Sequence, residues 1–168
     1  MHGQTARKGR AKSEYTRQLR EKQKAKRMFG LNETQFRNTY KAAVKTEGVT
    51  STELHKLLEK RLDNVLYRGG FGMSRAQTRQ FVNHGLCEVN GKKIYTPAYQ
   101  TKVGDKFQIE VKSQKSKLFD QTKDKKFMPP KWLKVDHKSL TGEIVAEPGK
   151  DDFEKNIQTN LIIEYYSK

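Results

Sequence analysis

Residues 54–79, LHKLLEKRLDNVLYRGGFGMSRAQTR, constrain the fold more than any other stretch of the chain. Leu54, Leu57, Leu58, Leu62, Val65 and Leu66 recur at intervals of three and four, the strongest helical stripe in the sequence. Thr50 and Glu53 have capping-box spacing ahead of it, so one helix is expected to end at Gly69. Three glycines within four residues then break the helix, and Ser74 with Gln77 caps a second, shorter one bearing Ala76, Phe81 and Val82 and stopping at Gly85. Asn90-Gly91 follows between two short β-competent runs, the composition a type I′ hairpin turn requires. The chain is therefore committed here to helix, joint, helix, hairpin.

A glycine-rich turn that opens a helix is also where proteins cradle phosphate. A dinucleotide loop follows a strand, however, and a Walker loop ends in Lys-Ser or Lys-Thr. Here a helix precedes the glycines, and GGFGMS offers no lysine. The glycines are a joint, and nucleotide binding is not expected.

Charge then says what the joint serves. Lys and Arg total 35 against 19 Asp and Glu, a net charge of +16. Such an excess favours a polyanionic partner, nucleic acid ahead of an anionic membrane surface, because lysines and arginines that neutralise phosphates release counterions. Half of the net charge lies before Leu31: Arg7, Lys8, Arg10, Lys12, Arg17, Arg20, Lys22, Lys24, Lys26 and Arg27 face only Glu14 and Glu21. The first dozen residues lack hydrophobic periodicity and read as a flexible arm, and a basic helix starts near Ser13, with Tyr15 and Gln18 interleaved among its arginines. Around the joint, Arg61 and Arg68 precede the glycines, Arg75 and Arg79 follow four apart, and His84, Lys92 and Lys93 occupy the next turn and hairpin. Asp63 is available to pair with Arg61, but acids look too few to occupy all four arginines.

The remaining elements are weaker. Asn32 and Gln35 form a capping box for a helix with Phe36, Tyr40, Ala43 and Val44 on one face and Gly48 as its stop. Phe107, Ile109 and Val111 alternate as a half-buried strand after a Gly104-Asp105 turn. Residues 112–126 are polar and aperiodic, MPPKWLKVD is extended with Trp132 and Leu133 as anchors, TGEIVAEP is a weak strand, and the apolar tail LIIEYYSK docks back on the core. The single cysteine, Cys87, excludes an internal disulfide and reads as buried, and the four histidines have no metal-ligand spacing. No run of about 18 apolar residues and no signal-peptide pattern occurs, so a soluble intracellular protein is expected. No catalytic constellation stands out. Neither metal nor cofactor is expected.

RLDNVLYRGGFGMSRAQTRQFVNHGLCEVNGKKI resembles the small RNA-binding module named after the fourth small-subunit ribosomal protein, a module also found in some RNA-modifying enzymes and synthetases. QLREKQKAKRMFG, QFRNTYKAA and LIIEYYSK resemble the ribosomal protein family itself, in its bacterial or organellar form, from about Tyr15 to Lys168. The resemblance implies an α+β fold: a helical domain, residues 1–60 completed by 146–168, with the module inserted at 61–145 as two helices and a small antiparallel sheet. It implies a cytoplasmic structural constituent of the small ribosomal subunit, organellar ribosomes included, that binds ribosomal RNA first and nucleates assembly at the 5′ domain. Contacts with incoming mRNA and with the fifth small-subunit protein, and a role in decoding accuracy, come with it. By resemblance, Arg61, Arg68, Ser74, Arg75, Arg79 and His84 belong to the RNA-facing helices, Gln18, Arg20, Lys22, Lys24 and Arg27 to the basic stretch, and Arg37 and Lys41 to the helix after it. Many relatives carry a longer N-terminal extension with a zinc-binding cysteine cluster, which MHGQTARKG lacks. Two alternatives remain: a regulatory RNA binder that represses its own messenger off the ribosome, and an RNA-modifying enzyme, for which residues 113–168 supply neither the length nor an acidic motif.

Overall fold

The computed structural model describes residues 9–124 and 126–168, with side chains described from Ser13 onward. The chain divides into two compact units, one ending at His55 and resumed by Glu154–Lys168, the other Lys56–Phe153.

The first unit is helical. Helix α1 (Gly9–Met28) is followed by α2 (Glu33–Lys45) and the start of α3 (Thr50–Glu59), and α7 (Thr159–Tyr166) closes the unit against α1. The basic helix thus starts earlier than expected, at Gly9 and not Ser13. Its buried stripe is Gln18, Glu21, Lys22, Ala25 and Phe29, at helical spacing but mostly polar. Such a stripe costs stability wherever a buried polar atom goes unpartnered, and here Gln18 Oε1 alone of the stripe does so while the other groups are paired. Gln18 donates to Glu164 on α7 (3.1 Å), the Gln158 amide donates to Glu21 (2.7 Å), and Lys22 donates to Glu33 (2.8 Å) while lying 4.5 Å from the Tyr165 ring. The docked tail supplies the aromatic cover, with Tyr166 stacked on Tyr40 at 4.7 Å. Asn32 and Gln35 form the expected reciprocal capping box on α2. That helix ends at Lys45 with Thr46 as its cap, before Gly48, and Val44 is exposed.

The second unit is α+β. It holds the end of α3, then α4 (Leu62–Arg68), α5 (Arg75–Asn83) and α6 (Asp120–Lys123), with strands β1 (Cys87–Val89), β2 (Lys92–Lys93), β3 (Lys106–Ile109), β4 (Leu133–Asp136) and β5 (Thr141–Ile144). The strands form one antiparallel sheet in the order β2-β1-β3-β5-β4. Asn90 and Gly91 both take positive φ, 51° and 82°, so the hairpin turn is the one the dipeptide requires. Phe107 and Ile109 point into a core shared with Leu62, Val65, Leu66, Phe71, Phe81 and Trp132, but Val111 leaves the strand for a 3₁₀ turn and is exposed. The polar stretch is, over residues 112–124, short turns and α6, pinned by the fully buried Phe119.

The expected single helix from Thr50 to Gly69 is two helices, and Thr50 is its first residue, not its cap. The break falls at Lys60–Arg61 because the segment 97–101 takes over the backbone there. Leu62 and Asp63 amides donate to the carbonyls of Tyr99 and Pro97 (2.9 and 3.2 Å), and Thr101 donates to the Lys60 carbonyl through both its amide and its hydroxyl. Those carbonyls satisfy first-turn donors that would otherwise be orphaned.

Candidate nucleic-acid interface

The site is built on the glycine joint. Gly69 caps α4, and Gly70 takes φ +80°, which an L side chain adopts only under strain. A Cβ on Gly72 would stand 2.7 Å from Thr78, so the chain passes α5 closer than any other residue allows. Phe71 is thereby driven into the core, edge-on to Phe107. Ser74 accepts from the Gln77 amide, and Gln77 in turn accepts from the Met73 amide, which fixes the first turn of α5.

The four arginines around the joint then separate into distinct roles. Arg61 is buried, its guanidinium on Asp63 through Nε and Nη2 (3.2 and 3.1 Å), so it holds the α3–α4 break and does not reach a surface. Arg68 makes a two-pronged contact with Glu59 (3.0 and 2.8 Å), whose carboxylate is fully buried and also accepts from Asn64 (2.8 Å). Asn64 turns its carbonyl oxygen to Arg75 Nε at 2.9 Å, and the Arg75 guanidinium lies 4.5 Å from the Tyr67 ring. Glu59 and Asn64 thus aim Arg68 and Arg75, both half-buried, with Arg79 one turn further along the same face of α5. The Nε side of each guanidinium is engaged by these partners, so a phosphate can be met only by the terminal guanidinium N–H groups. The expectation that nearby acids are too few does not hold for Arg61 and Arg68, which Asp63 and Glu59 occupy.

The flanking basic residues and His84 are exposed. His84, the exposed cap of α5, and Lys92 lie at the following turns, and Lys93 pairs with Glu110 at 2.8 Å, a hydrogen bond that raises its pKa. Cys87 is fully buried beneath the sheet, and burial, with the Glu88 charge second, pushes its thiol up to about 12. It is no nucleophile at neutral pH.

In the helical unit, Arg17, Arg20, Lys24 and Arg27 form one exposed stripe on α1, opposite the buried polar one, with Arg37 and Lys41 exposed on α2. Gln18 and Lys22 do not join that stripe, since both face inward. Arg7 and Lys8 lie outside the described residues, and Arg10 falls in α1 at a position whose side chain is not described. Among the described residues no group of His, Cys, Asp and Glu could hold a metal ion, and no helix is long and apolar enough to cross a membrane.

Sequence reasoning missed Glu59, Asn64 and Tyr67. Glu59 and Arg68 are nine apart, a spacing no single helix brings together. The one available signal was Asn64, a polar residue in the midst of an apolar stripe.

A basic face on a helix–joint–helix–hairpin unit is the arrangement of a nucleic-acid-binding module. Comparison with known sequences specifies it: residues 1–59 match the ribosomal protein S4/S9 N-terminal domain and residues 60–107 the S4 domain. The chain is 48% identical to "Small ribosomal subunit protein uS4A" of Alkaliphilus oremlandii, an alignment covering 99% of this chain and 80% of that protein. It is 46% identical to "Small ribosomal subunit protein uS4" of Heliobacterium modesticaldum over the same shares, and 46% identical to the uS4A protein of Clostridium perfringens over 93% and 76%. The chain belongs to the S4 family of ribosomal proteins, structural proteins and not enzymes.

Proposed function

We propose that the protein is a structural constituent of the small ribosomal subunit in the cytoplasm, a primary binder of its RNA that nucleates assembly at the 5′ domain. The observation that carries this reading is the aimed pair Arg68 and Arg75, held by Glu59 and Asn64 beside Arg79. In this reading Ser74, Arg79, His84, Lys92 and Lys93 extend the RNA contact of the module, residues 61–145. The stripe Arg17, Arg20, Lys24 and Arg27, with Arg37 and Lys41, supplies a second contact from the helical domain, residues 1–60 and 146–168. Arg7, Lys8 and Arg10 extend that contact along the N-terminal arm. Gln18, Lys22 and Arg61 serve by holding these faces in place. Contacts with incoming mRNA and the fifth small-subunit protein, and through them decoding accuracy, belong to the same reading.

Binding of the full chain to isolated 5′-domain RNA, against a scrambled RNA of equal length, tests it. Preference for the 5′ domain by a factor of about 10³ or more at 0.15 M salt is expected, within the usual range for specific over non-specific binding. Equal affinity for both RNAs would refute it. Sedimentation of cell extract separates this role from repression off the ribosome: the protein is expected with small subunits, and its confinement to the light fractions would favour the repressor.

A further inference from the structure

The glycine joint is held from outside. Its amides end α4 locally: those of Gly69, Gly70 and Phe71 donate to the carbonyls of Val65, Tyr67 and Leu66. Two of its carbonyls are taken by a later segment of the same unit. His137 Nε2 lies 2.7 Å from the Gly69 carbonyl oxygen, and Thr122 donates its hydroxyl to the Phe71 carbonyl at 3.3 Å. A carbonyl only accepts, so His137 Nε2 carries the proton. Between these contacts, a Cβ on Gly70 would stand 3.1 Å from His137 Nε2 and 2.9 Å from the Phe127 ring, which packs edge-on with the His137 ring. Thr122, Phe127 and His137 all lie beyond residue 107, where the match to the S4 domain ends.

His137 is itself aimed. It directly follows β4, and Asp136 Oδ1 accepts from the amides of Lys138 and Ser139 (3.0 and 3.4 Å), which pins the turn that carries the ring. The joint in turn governs the arginines. Arg68 ends α4 immediately before Gly69, and Arg75 opens α5. The hydrogen bond that aims Arg75 crosses the joint, from its Nε to Asn64 on α4 (2.9 Å), so it lasts only while the two helices keep their placement. Three glycines within four residues leave the joint many alternative conformations that their own side chains do nothing to restrict. A joint left loose must be ordered at the moment of binding, which lowers affinity.

We propose that His137 is a positioning residue for the RNA contact: together with Thr122 it locks the glycine joint before RNA arrives, so that Arg68 and Arg75 are presented together. The inference rests on the RNA-binding reading and assigns part of the affinity to a side chain that touches no RNA.

Ordering the joint and meeting a phosphate differ in two readouts, amide exchange in the free chain and the salt slope of binding. Both are measured on the full chain and on His137→Ala, His137→Gln and Thr122→Val, with Trp132 fluorescence reporting that each is folded. His137→Gln returns a donor near the place of Nε2, and Thr122→Val keeps the buried shape while removing the hydroxyl. In His137→Ala the Gly70 and Phe71 amides are expected to exchange about tenfold faster, relative to those of β1 and β3. The same variant should bind 5′-domain RNA about three- to tenfold more weakly with an unchanged salt slope. His137→Gln should restore both, and Thr122→Val should move both in the direction of His137→Ala by a smaller factor. Unchanged exchange or affinity in His137→Ala would overturn the proposal, as would a weaker affinity with a shallower slope, which would put His137 on the RNA backbone. No recovery in His137→Gln would overturn it too. Should His137→Ala not fold, unchanged exchange and affinity in Thr122→Val would do the same. Failure of the unsubstituted chain to prefer 5′-domain RNA would overturn the functional reading itself, and this one with it, whatever the exchange shows.

Discussion

Glu59 is the residue whose removal should do the most damage out of proportion to its size. Its buried carboxylate accepts from Arg68 Nε and Nη2 and from Asn64, at 3.0, 2.8 and 2.8 Å. Breaking a buried ion pair by deleting one partner costs about 3–5 kcal/mol, because the other charge is left uncompensated. The Arg68 side chain is 23% exposed and regains some water, so about 3 kcal/mol is expected for Glu59→Ala. Deleting both partners removes the stranded charge, and Glu59→Ala/Arg68→Met should recover about 1–2 kcal/mol of that loss. Trp132, the only tryptophan and buried in the same unit, reports unfolding in urea by its fluorescence. RNA affinity should fall along with stability, since Arg68 and, through Asn64, Arg75 lose their aim. A Glu59→Ala loss below about 1 kcal/mol, or strict additivity in the double variant, would refute the claim that Glu59 organises this face.

Two further outcomes follow from a buried thiol and a paired carboxylate. Cys87, its thiol pushed up to about 12, should resist alkylation at pH 8 in the folded protein and react at an ordinary rate in denaturant; rapid labelling of the native chain would contradict its burial. Burial raises the pKa of Glu33, but the hydrogen bonds and charge from Lys22, with Tyr166 and Lys26, outweigh it and leave the group below its ordinary 4.5. A depressed folded-state pKa contributes stability above about pH 4.5 that is lost as pH falls through the folded value. The urea midpoint of the helical unit should therefore drop on acidification below pH 4.5, and less steeply in Lys22→Met; identical pH profiles for the two proteins would refute the pairing.

Features that depend on local backbone chemistry were legible in the sequence. Asn90-Gly91 announced its turn because both positions need positive φ, and Asn32 and Gln35 announced a helix start because a capping box is complete within four residues. What the sequence concealed depends on distant partners. Nothing near Lys60 marks the end of α3, and the apolar stripe runs straight through it. The break is imposed by the carbonyls of Pro97 and Tyr99 and by Thr101, which is 41 residues from Lys60. Lys22 was likewise read as surface, yet it is buried because Glu33 neutralises it, whereas the pairing of Arg61 with Asp63 two residues away was visible in the sequence. Along α1, charge alone cannot tell the exposed arginines from the buried polar stripe. Only the docking of α7, with Glu164 and its tyrosines, decides which side faces water.

The central claim is that Arg75 and Arg79 lie against the RNA backbone. The measurement that tests it most directly is the salt dependence of binding to 5′-domain RNA for the chain and for Arg75→Ala/Arg79→Ala. The variant should bind more weakly, with its slope of log affinity against log salt reduced by about 1 to 2 phosphate equivalents. An unchanged slope would place both arginines off the RNA and contradict the account.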